Sequence, residues 1–222
     1  MNIPQTTLTK KIFVALTGLF LAFFLIIHLA GNLQLLLPEQ VAHTQFNSYS
    51  HLLAGNPVIK LVSYVLYIAI FYHAFDALML TIGNWRANDG SYDKDTRGEV
   101  SSWISRNMGI LGSVIFLFLV IHFKDYWYIY KYGDTAVDAN GNKDLYIIVI
   151  ESFKQLWYVL FYVIAMVILG LHLWHGIRSA FTTLGLYHEK YIKLVRYISC
   201  LFTFIVSLGF AIIPIVIYLK NM

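Results

Sequence analysis

Five long apolar runs, separated by polar segments, dominate the pattern of this chain. Four of them reach the length of about 20 residues that an α-helix needs to cross a membrane. The third run is shorter, and its helix is predicted to begin upstream near Trp103. The fold class is therefore predicted to be all-α, an integral membrane bundle of five transmembrane helices in a single membrane domain, residues 1–222. The predicted spans cover approximately residues 12–37, 57–82, 103–128, 152–180 and 192–219.

The composition supports this prediction and excludes several classes of protein. Of the 222 residues, 59% are hydrophobic and 13% are charged, whereas a soluble domain carries about 25% charged residues. An ordinary soluble enzyme and a disordered chain are both excluded. The single cysteine, Cys200, excludes a disulfide framework, an iron–sulfur cluster and covalently attached haem. The sequence also contains no G-x-G-x-x-G fingerprint for a flavin or nucleotide, and we predict no catalytic residue in this chain.

Lysine and arginine residues stand at the ends of the apolar runs rather than in one patch, which indicates membrane orientation and argues against nucleic acid as a partner. The N-terminal side of the membrane is predicted to carry 10 of these residues and the opposite side 6. Because positive charge marks the cytoplasmic side, we predict a cytoplasmic N-terminus and a C-terminus outside.

Each of the first four predicted spans contains a histidine roughly 15–18 residues after the start of its helix, about 25 Å along the helix axis. Because neighbouring helices run antiparallel, equal offsets place these histidines at alternating depths. The pattern predicts one pair near each face of the membrane. The outer pair is His28 and His122, and the inner pair is His73 and His172.

An ionisable side chain in hydrocarbon costs a few kcal/mol unless it has a partner, so four histidines at matched depths indicate a functional site. Two imidazoles from facing helices can fill both axial positions of a haem iron, which leaves no position for oxygen. A zinc site would need three or four ligands at one depth. We therefore predict two non-covalent b haems, one in each half of the membrane, and electron transfer as the chemistry.

Other polar residues near the membrane edges are candidates for a supporting role. His175 lies about one turn beyond His172, and depth favours His172 as the ligand. His175 would then bond a haem propionate or face a partner protein. Arg106 and Arg178 on the inner side and Lys124 on the outer side are further propionate candidates, although snorkelling of long cationic side chains to the interface explains them equally well.

Alternating oxygen-bearing side chains between Asp138 and Asp144 resemble the start of a calcium loop. The glycine of this segment is misplaced for an EF-hand and no closing glutamate follows. A simple turn at Asn140-Gly141 is the better prediction.

Several segments together resemble the five-helix, di-haem cytochrome b subunit of succinate dehydrogenase and fumarate reductase, the membrane anchor of succinate:quinone oxidoreductase. The resemblance covers nearly the whole chain and is weakest at residues 131–146. The segments that carry it are KKIFVALTG (10–18), FLIIHLAGNL (24–33), FYHAFDAL (71–78), SRNM (105–108), VIH (120–122) and HLWHGIRSAFTTLG (172–185).

The resemblance implies that His28, His73, His122 and His172 are the axial ligands, the last because the family motif has a glycine four residues on, here Gly176. It also implies an iron–sulfur subunit and a flavoprotein on the cytoplasmic face, with the FAD and the Fe–S clusters confined to these partners. Electrons would pass through the two haems to or from a quinone, with menaquinone expected. The expected location is the inner (cytoplasmic) membrane of a bacterium, as a multi-pass protein in contact with lipid.

The quinone site is predicted in the polar loop after the first span, with Glu39 and His51 as the first candidates. Two other functions remain open from the residues. The first is a b-type cytochrome anchor of another respiratory complex, such as a hydrogenase or a formate dehydrogenase. The second is a haem-free transporter that uses the four histidines as a proton relay.

Overall fold

The computed structural model describes residues 7–87, 102–186 and 188–222. Helices make up almost all of these residues. Within the described ranges there is no β-strand, and the one isolated β-bridge joins Val137 and Lys143. The helices are α1 Thr7–Asn32, α2 Glu39–Gly55, α3 Pro57–Ala87, α4 Trp103–Arg106, α5 Met108–His122, α6 Ile129–Tyr132, α7 Leu145–Phe153, α8 Leu156–Thr183 and α9 Ile192–Lys220. A short 3₁₀ turn, Leu33–Leu36, extends α1, and a π-helical segment, Phe123–Tyr128, joins α5 to α6.

Five of the helical stretches in the described residues are long and apolar enough to cross a membrane, which confirms the all-α class and the multi-pass character of the chain. Large apolar side chains cover their outward faces, as expected where lipid is the surrounding solvent. One such side chain from each span, more than half exposed, is Phe23, Leu61, Leu117, Ile164 and Phe204. The stretches are Thr7–Leu36, Pro57–Arg86, Met108–Tyr132, Leu156–Thr183 and Ile192–Lys220.

Four of these helices enclose a common interior. Helix α1 packs against α3 and α8, and α5 packs against the same two helices, so α1 lies diagonally opposite α5 and α3 lies diagonally opposite α8. The fifth long helix, α9, packs against α8 and α1 from outside this square. In helical bundles of this kind, side chains on facing helices build the cofactor sites.

The third and fourth spans differ from their predicted bounds at the ends. Asn107 interrupts the start of the third helical stretch, which continues past residue 128 to Tyr132 through the π-helical segment. The fourth long helix begins at Leu156, because α7 ends at Phe153 and the chain turns before α8.

The segment after the first span is a helix rather than the predicted loop. Pro38 precedes α2, and Asn56 follows it and caps α3 by accepting hydrogen bonds from the backbone N–H groups of Val58 and Ile59. Pro57 occupies the first position of α3, where its missing N–H has no cost. Helix α2 packs against α7, so both polar connections on this side of the bundle are largely helical.

A tight turn forms at the oxygen-rich segment, as the Asn-Gly pair predicts. Gly141 has φ of 77° and donates its backbone N–H to the carbonyl of Asp138. The Asp138 carboxylate accepts from the backbone N–H groups of Asn140 and Asn142, both at 2.9 Å. One carboxylate thus holds the turn from within, so calcium is not needed to explain the residue pattern.

Candidate functional site

His28 and His122 meet across one diagonal of the bundle. His28 projects from α1 and His122 ends α5, and their ring centroids lie 5.9 Å apart with an angle of 88° between the ring planes. Phe24 stacks on His28, and Phe118 stacks on His122. These stacked aromatic rings restrict the orientations of the two imidazoles.

His73 and His172 meet across the other diagonal, with ring centroids 6.2 Å apart and an interplanar angle of 74°. Glycines on the neighbouring helices give these imidazoles room. A Cβ atom on Gly18 would come within 3.0 Å of Cε1 of His73, and one on Gly112 would lie 3.7 Å from Cε1 of His172. A side chain at Gly18 would therefore require His73 to shift by a few tenths of an ångström.

The two pairs lie at different levels of the bundle. His73 contacts Thr17 on α1, eleven residues before His28, and Tyr162 on α8 contacts His122, ten residues before His172. At the helical rise of about 1.5 Å per residue, both spacings place the pairs about 15 Å apart along the bundle axis. These are the two pairs that the depth pattern predicts, and their role as ligands stays a prediction.

Protein partners at Nδ1 orient the imidazoles. Nδ1 of His73 lies 3.1 Å from the backbone carbonyl of Val14 and 3.2 Å from the Thr17 hydroxyl. A carbonyl only accepts hydrogen bonds, so this nitrogen carries the proton and Nε2 of the neutral ring keeps its lone pair. Nδ1 of His122 bonds the Tyr162 hydroxyl at 3.1 Å, whereas Asn32 reaches Nδ1 of His28 only at 3.5 Å. Nδ1 of His172 is buried without a partner among the described residues.

Both pairs have the spacing that a shared iron requires. A metal–imidazole bond is about 2 Å long and the ring centre lies about 1 Å beyond the nitrogen, so two axial imidazoles have centroids about 6 Å apart. The observed separations are 5.9 and 6.2 Å. Each of the four histidine residues keeps some exposed surface although it lies between helices. The residues present therefore fit two bis-histidine haems.

The candidates for the propionates lie near the ends of the same helices. Arg178 follows His172 by six residues, and its buried Nε has no partner among the described residues. The guanidinium lies 5.9 Å from the Trp174 ring centre, a cation–π contact. His175 is half-buried on the same helix, and Arg106 ends α4, which packs against α8.

Lys124 is a weaker candidate than its position suggests. Its side chain is 77% exposed, and its ammonium lies 3.4 Å from the carboxylate of Asp125. An exposed ion pair of this kind contributes little binding energy. Lys124 is therefore directed toward solvent and its neighbouring acid, rather than toward the histidines.

The two predicted quinone residues are not brought together. Glu39 and His51 are exposed near opposite ends of α2, about 18 Å apart at helical rise. The structure instead pairs His43, on the same helix, with Asp144 at 2.8 Å. Burial raises the pKa of the nearby Tyr146 phenol, and the carboxylates of Glu39 and Asp144 raise it further.

A second polar group next to the histidines was missed by the sequence analysis. It consists of Asp125, Tyr158 and Tyr162, which form a row of hydrogen bonds that begins at His122. The signal was present as spacing, because His122 and Asp125 are three residues apart and the two tyrosines four apart. Residues with these spacings share a helix face.

No protein-family model, curated protein or solved structure matches this chain. The functional assignment below therefore depends on the residues and their geometry, together with the sequence resemblance described above.

Proposed function

We propose that this chain is a membrane-spanning cytochrome b that binds two haems and transfers electrons across the bilayer. The observation that carries the proposal is the pair of diagonal histidine contacts, with centroid separations of 5.9 and 6.2 Å at two levels of one bundle. Four unrelated packing histidines would have no reason to form two pairs at the spacing of axial ligands.

His28 and His122 would hold the outer haem, and His73 and His172 the inner one. A bis-histidine haem, when bound, accepts and donates single electrons and has no free position for oxygen. The chain orients His73 and His122 through Nδ1 partners and stacks Phe24 and Phe118 on the outer pair. For the inner site it also provides Arg178, whose buried Nε has no partner within the described residues and suits an anionic propionate.

The larger assembly that best accommodates such a chain is succinate:quinone oxidoreductase. The resemblance of the histidine segments to its di-haem anchor subunit supports this proposal, as does the lack of any flavin fingerprint or cysteine cluster in the sequence. An iron–sulfur subunit and a flavoprotein would bind the cytoplasmic face, and a quinone, with menaquinone expected, would exchange electrons in the bacterial inner membrane. The excess of lysine and arginine on the N-terminal side supports a cytoplasmic N-terminus.

The first test is a reduced-minus-oxidised spectrum of the purified protein, together with its haem content per chain. We expect b-type bands and two haems. His172→Ala should lose one of them, because it removes one axial ligand of the inner pair. His188→Ala is the control, because His188 is exposed outside the five long helices, and it should keep both haems. If the wild-type protein lacks b-type bands, the haem assignment is refuted and the haem-free transporter hypothesis remains.

The second test concerns the partners. The complex should be purified in mild detergent through a tag on this chain, and its soluble subunits identified by their flavin and iron content. Succinate-dependent reduction of a menaquinone analogue is the expected activity. If hydrogen or formate drives the reduction instead, the haem proposal stands, but the chain belongs to another respiratory complex.

A further inference from the structure

A continuous row of hydrogen bonds leads from His122 to a carboxylate at the edge of the bundle. Nδ1 of His122 lies 3.1 Å from the Tyr162 hydroxyl, which lies 3.3 Å from the Tyr158 hydroxyl. Tyr158 donates to Oδ2 of Asp125 at 2.9 Å. Both tyrosines are almost fully buried, so water does not compete for these bonds.

The direction of each bond follows from the carboxylate. An ionised Asp125 only accepts, so the single hydroxyl hydrogen of Tyr158 is directed to it. The contact between the two hydroxyls then needs the hydrogen of Tyr162, and Tyr162 can only accept from His122. Nδ1 of His122 therefore carries the proton and donates a hydrogen bond to Tyr162, which leaves the lone pair of the neutral ring on Nε2.

The local helix geometry explains how these side chains align. His122 and Asp125 are three residues apart on one helical stretch, and Tyr158 and Tyr162 are four apart on α8. The two stretches run antiparallel, so the deeper tyrosine meets the histidine and the outer tyrosine meets the aspartate. The π-helical turn that contains Asp125 begins directly after His122, and such turns often mark functional positions.

We infer that Asp125, Tyr158 and Tyr162 are positioning residues that fix the tautomer of His122 and increase the electron density its imidazole donates to the outer iron. The inference rests on the proposed haem function. A hydrogen bond from the non-ligating nitrogen to an acceptor raises the basicity of an imidazole ligand, and this stabilises oxidised iron. Of the four proposed ligands His28, His73, His122 and His172, only His122 has, within the described residues, a hydrogen-bond chain that ends on a carboxylate.

The test is a potentiometric titration of the two haems in the Tyr162→Phe variant, monitored by visible absorption. The substitution keeps the ring and removes the acceptor hydroxyl. We expect one of the two midpoint potentials to rise while the other stays unchanged. At the wild-type midpoint, the reduced-to-oxidised ratio of that haem should increase about tenfold, equivalent to about 59 mV for one electron.

Tyr64→Phe is the matched control, because Tyr64 is exposed on α3 and, within the described residues, Tyr67 is the only aromatic ring that its own ring contacts. It should move neither midpoint. Asp125→Asn keeps an acceptor but removes the charge, and it should move the same midpoint as Tyr162→Phe by a smaller amount.

The outcomes separate the inference from the proposed function. Wild-type protein without haem refutes both. Two haems in Tyr162→Phe with unchanged midpoints overturn the inference and leave the function intact. If Tyr162→Phe loses the outer haem, Tyr158→Phe decides the matter, because it keeps the bond between His122 and Tyr162. An unmoved midpoint in that variant likewise overturns the inference.

Discussion

Replacing Gly18 by alanine tests whether His73 must occupy its observed position. The new Cβ atom would lie 3.0 Å from Cε1 of His73, whereas carbon atoms in contact prefer about 3.5 Å or more. The imidazole would therefore have to move by about 0.5 Å, while ligand distances at a metal site hold to about 0.2 Å. Its hydrogen bond to the Val14 carbonyl, 3.1 Å long, would be disturbed by the same movement.

We expect Gly18→Ala to weaken binding of the inner haem by about tenfold or more, the range typical for disturbed support of a metal ligand. Haem content should fall from two toward one per chain, with the outer haem retained. Helix propensity acts in the opposite direction, because alanine stabilises a helix interior by about 1 kcal/mol relative to glycine. A variant that folds well yet lacks one haem would therefore be a specific result.

The assay is the pyridine haemochrome content of the purified protein, combined with its visible spectrum. Gly112→Ala is the matched control, because its Cβ atom would lie 3.7 Å from His172, an ordinary contact. That variant should keep two haems. If Gly18→Ala also keeps two haems with an unchanged spectrum and unchanged midpoints, the steric reasoning at His73 is wrong.

Two further predictions concern the segments outside the histidine pairs. Asn47 is fully buried, donates to Asp144 at 2.9 Å and accepts from the backbone N–H of Tyr146 at 2.9 Å. Asn47→Ala leaves the backbone N–H of Tyr146 unpaired and removes one of the hydrogen bonds to Asp144, which keeps its bonds from His43 and Ile147. It should destabilise the fold by about 1–3 kcal/mol, measured as a lower thermal midpoint in detergent, whereas the exposed Gln45→Ala on the same helix should change it little. Desolvation acts to raise the pKa of Asp138, but hydrogen bonds from two backbone N–H groups of its turn outweigh it and hold the pKa below the usual value of 3.8. The turn should therefore be fully stabilised above pH 3.8 and lose this stabilisation only as the pH falls through the lower folded-state pKa of Asp138. The measurement is a carboxyl ¹³C titration of Asp138, and a midpoint at or above 3.8 would contradict this reasoning.

The orientation prediction depends partly on Lys94 and Arg97, which lie outside the described residues. Their charges still count in the sequence argument, because the bias toward the cytoplasmic side depends on composition near the ends of the spans and not on side-chain positions. Protease accessibility of a C-terminal tag in right-side-out vesicles would test the predicted outside C-terminus.

The sequence alone determined the five apolar stretches and the depth of each histidine. Both depend on quantities that can be counted along the chain, namely hydropathy against a bilayer of fixed thickness and rise per residue. The resemblance to a known family is likewise an argument from the residues, and membership of that family stays a proposal.

Only the tertiary structure decided which side chains face each other across the bundle. The contact between His122 and Tyr162 depends on the rotation of α5 and α8 about their axes, and helix packing sets that rotation. The pairing of His43 with Asp144 joins residues about one hundred positions apart. The segment Glu39–Gly55 forms a helix because Ala42, Phe46 and Asn47 bury one of its faces. Neither hydropathy nor the spacing of single residues contains this information, because it arises from contacts between helices that the chain brings together only when folded.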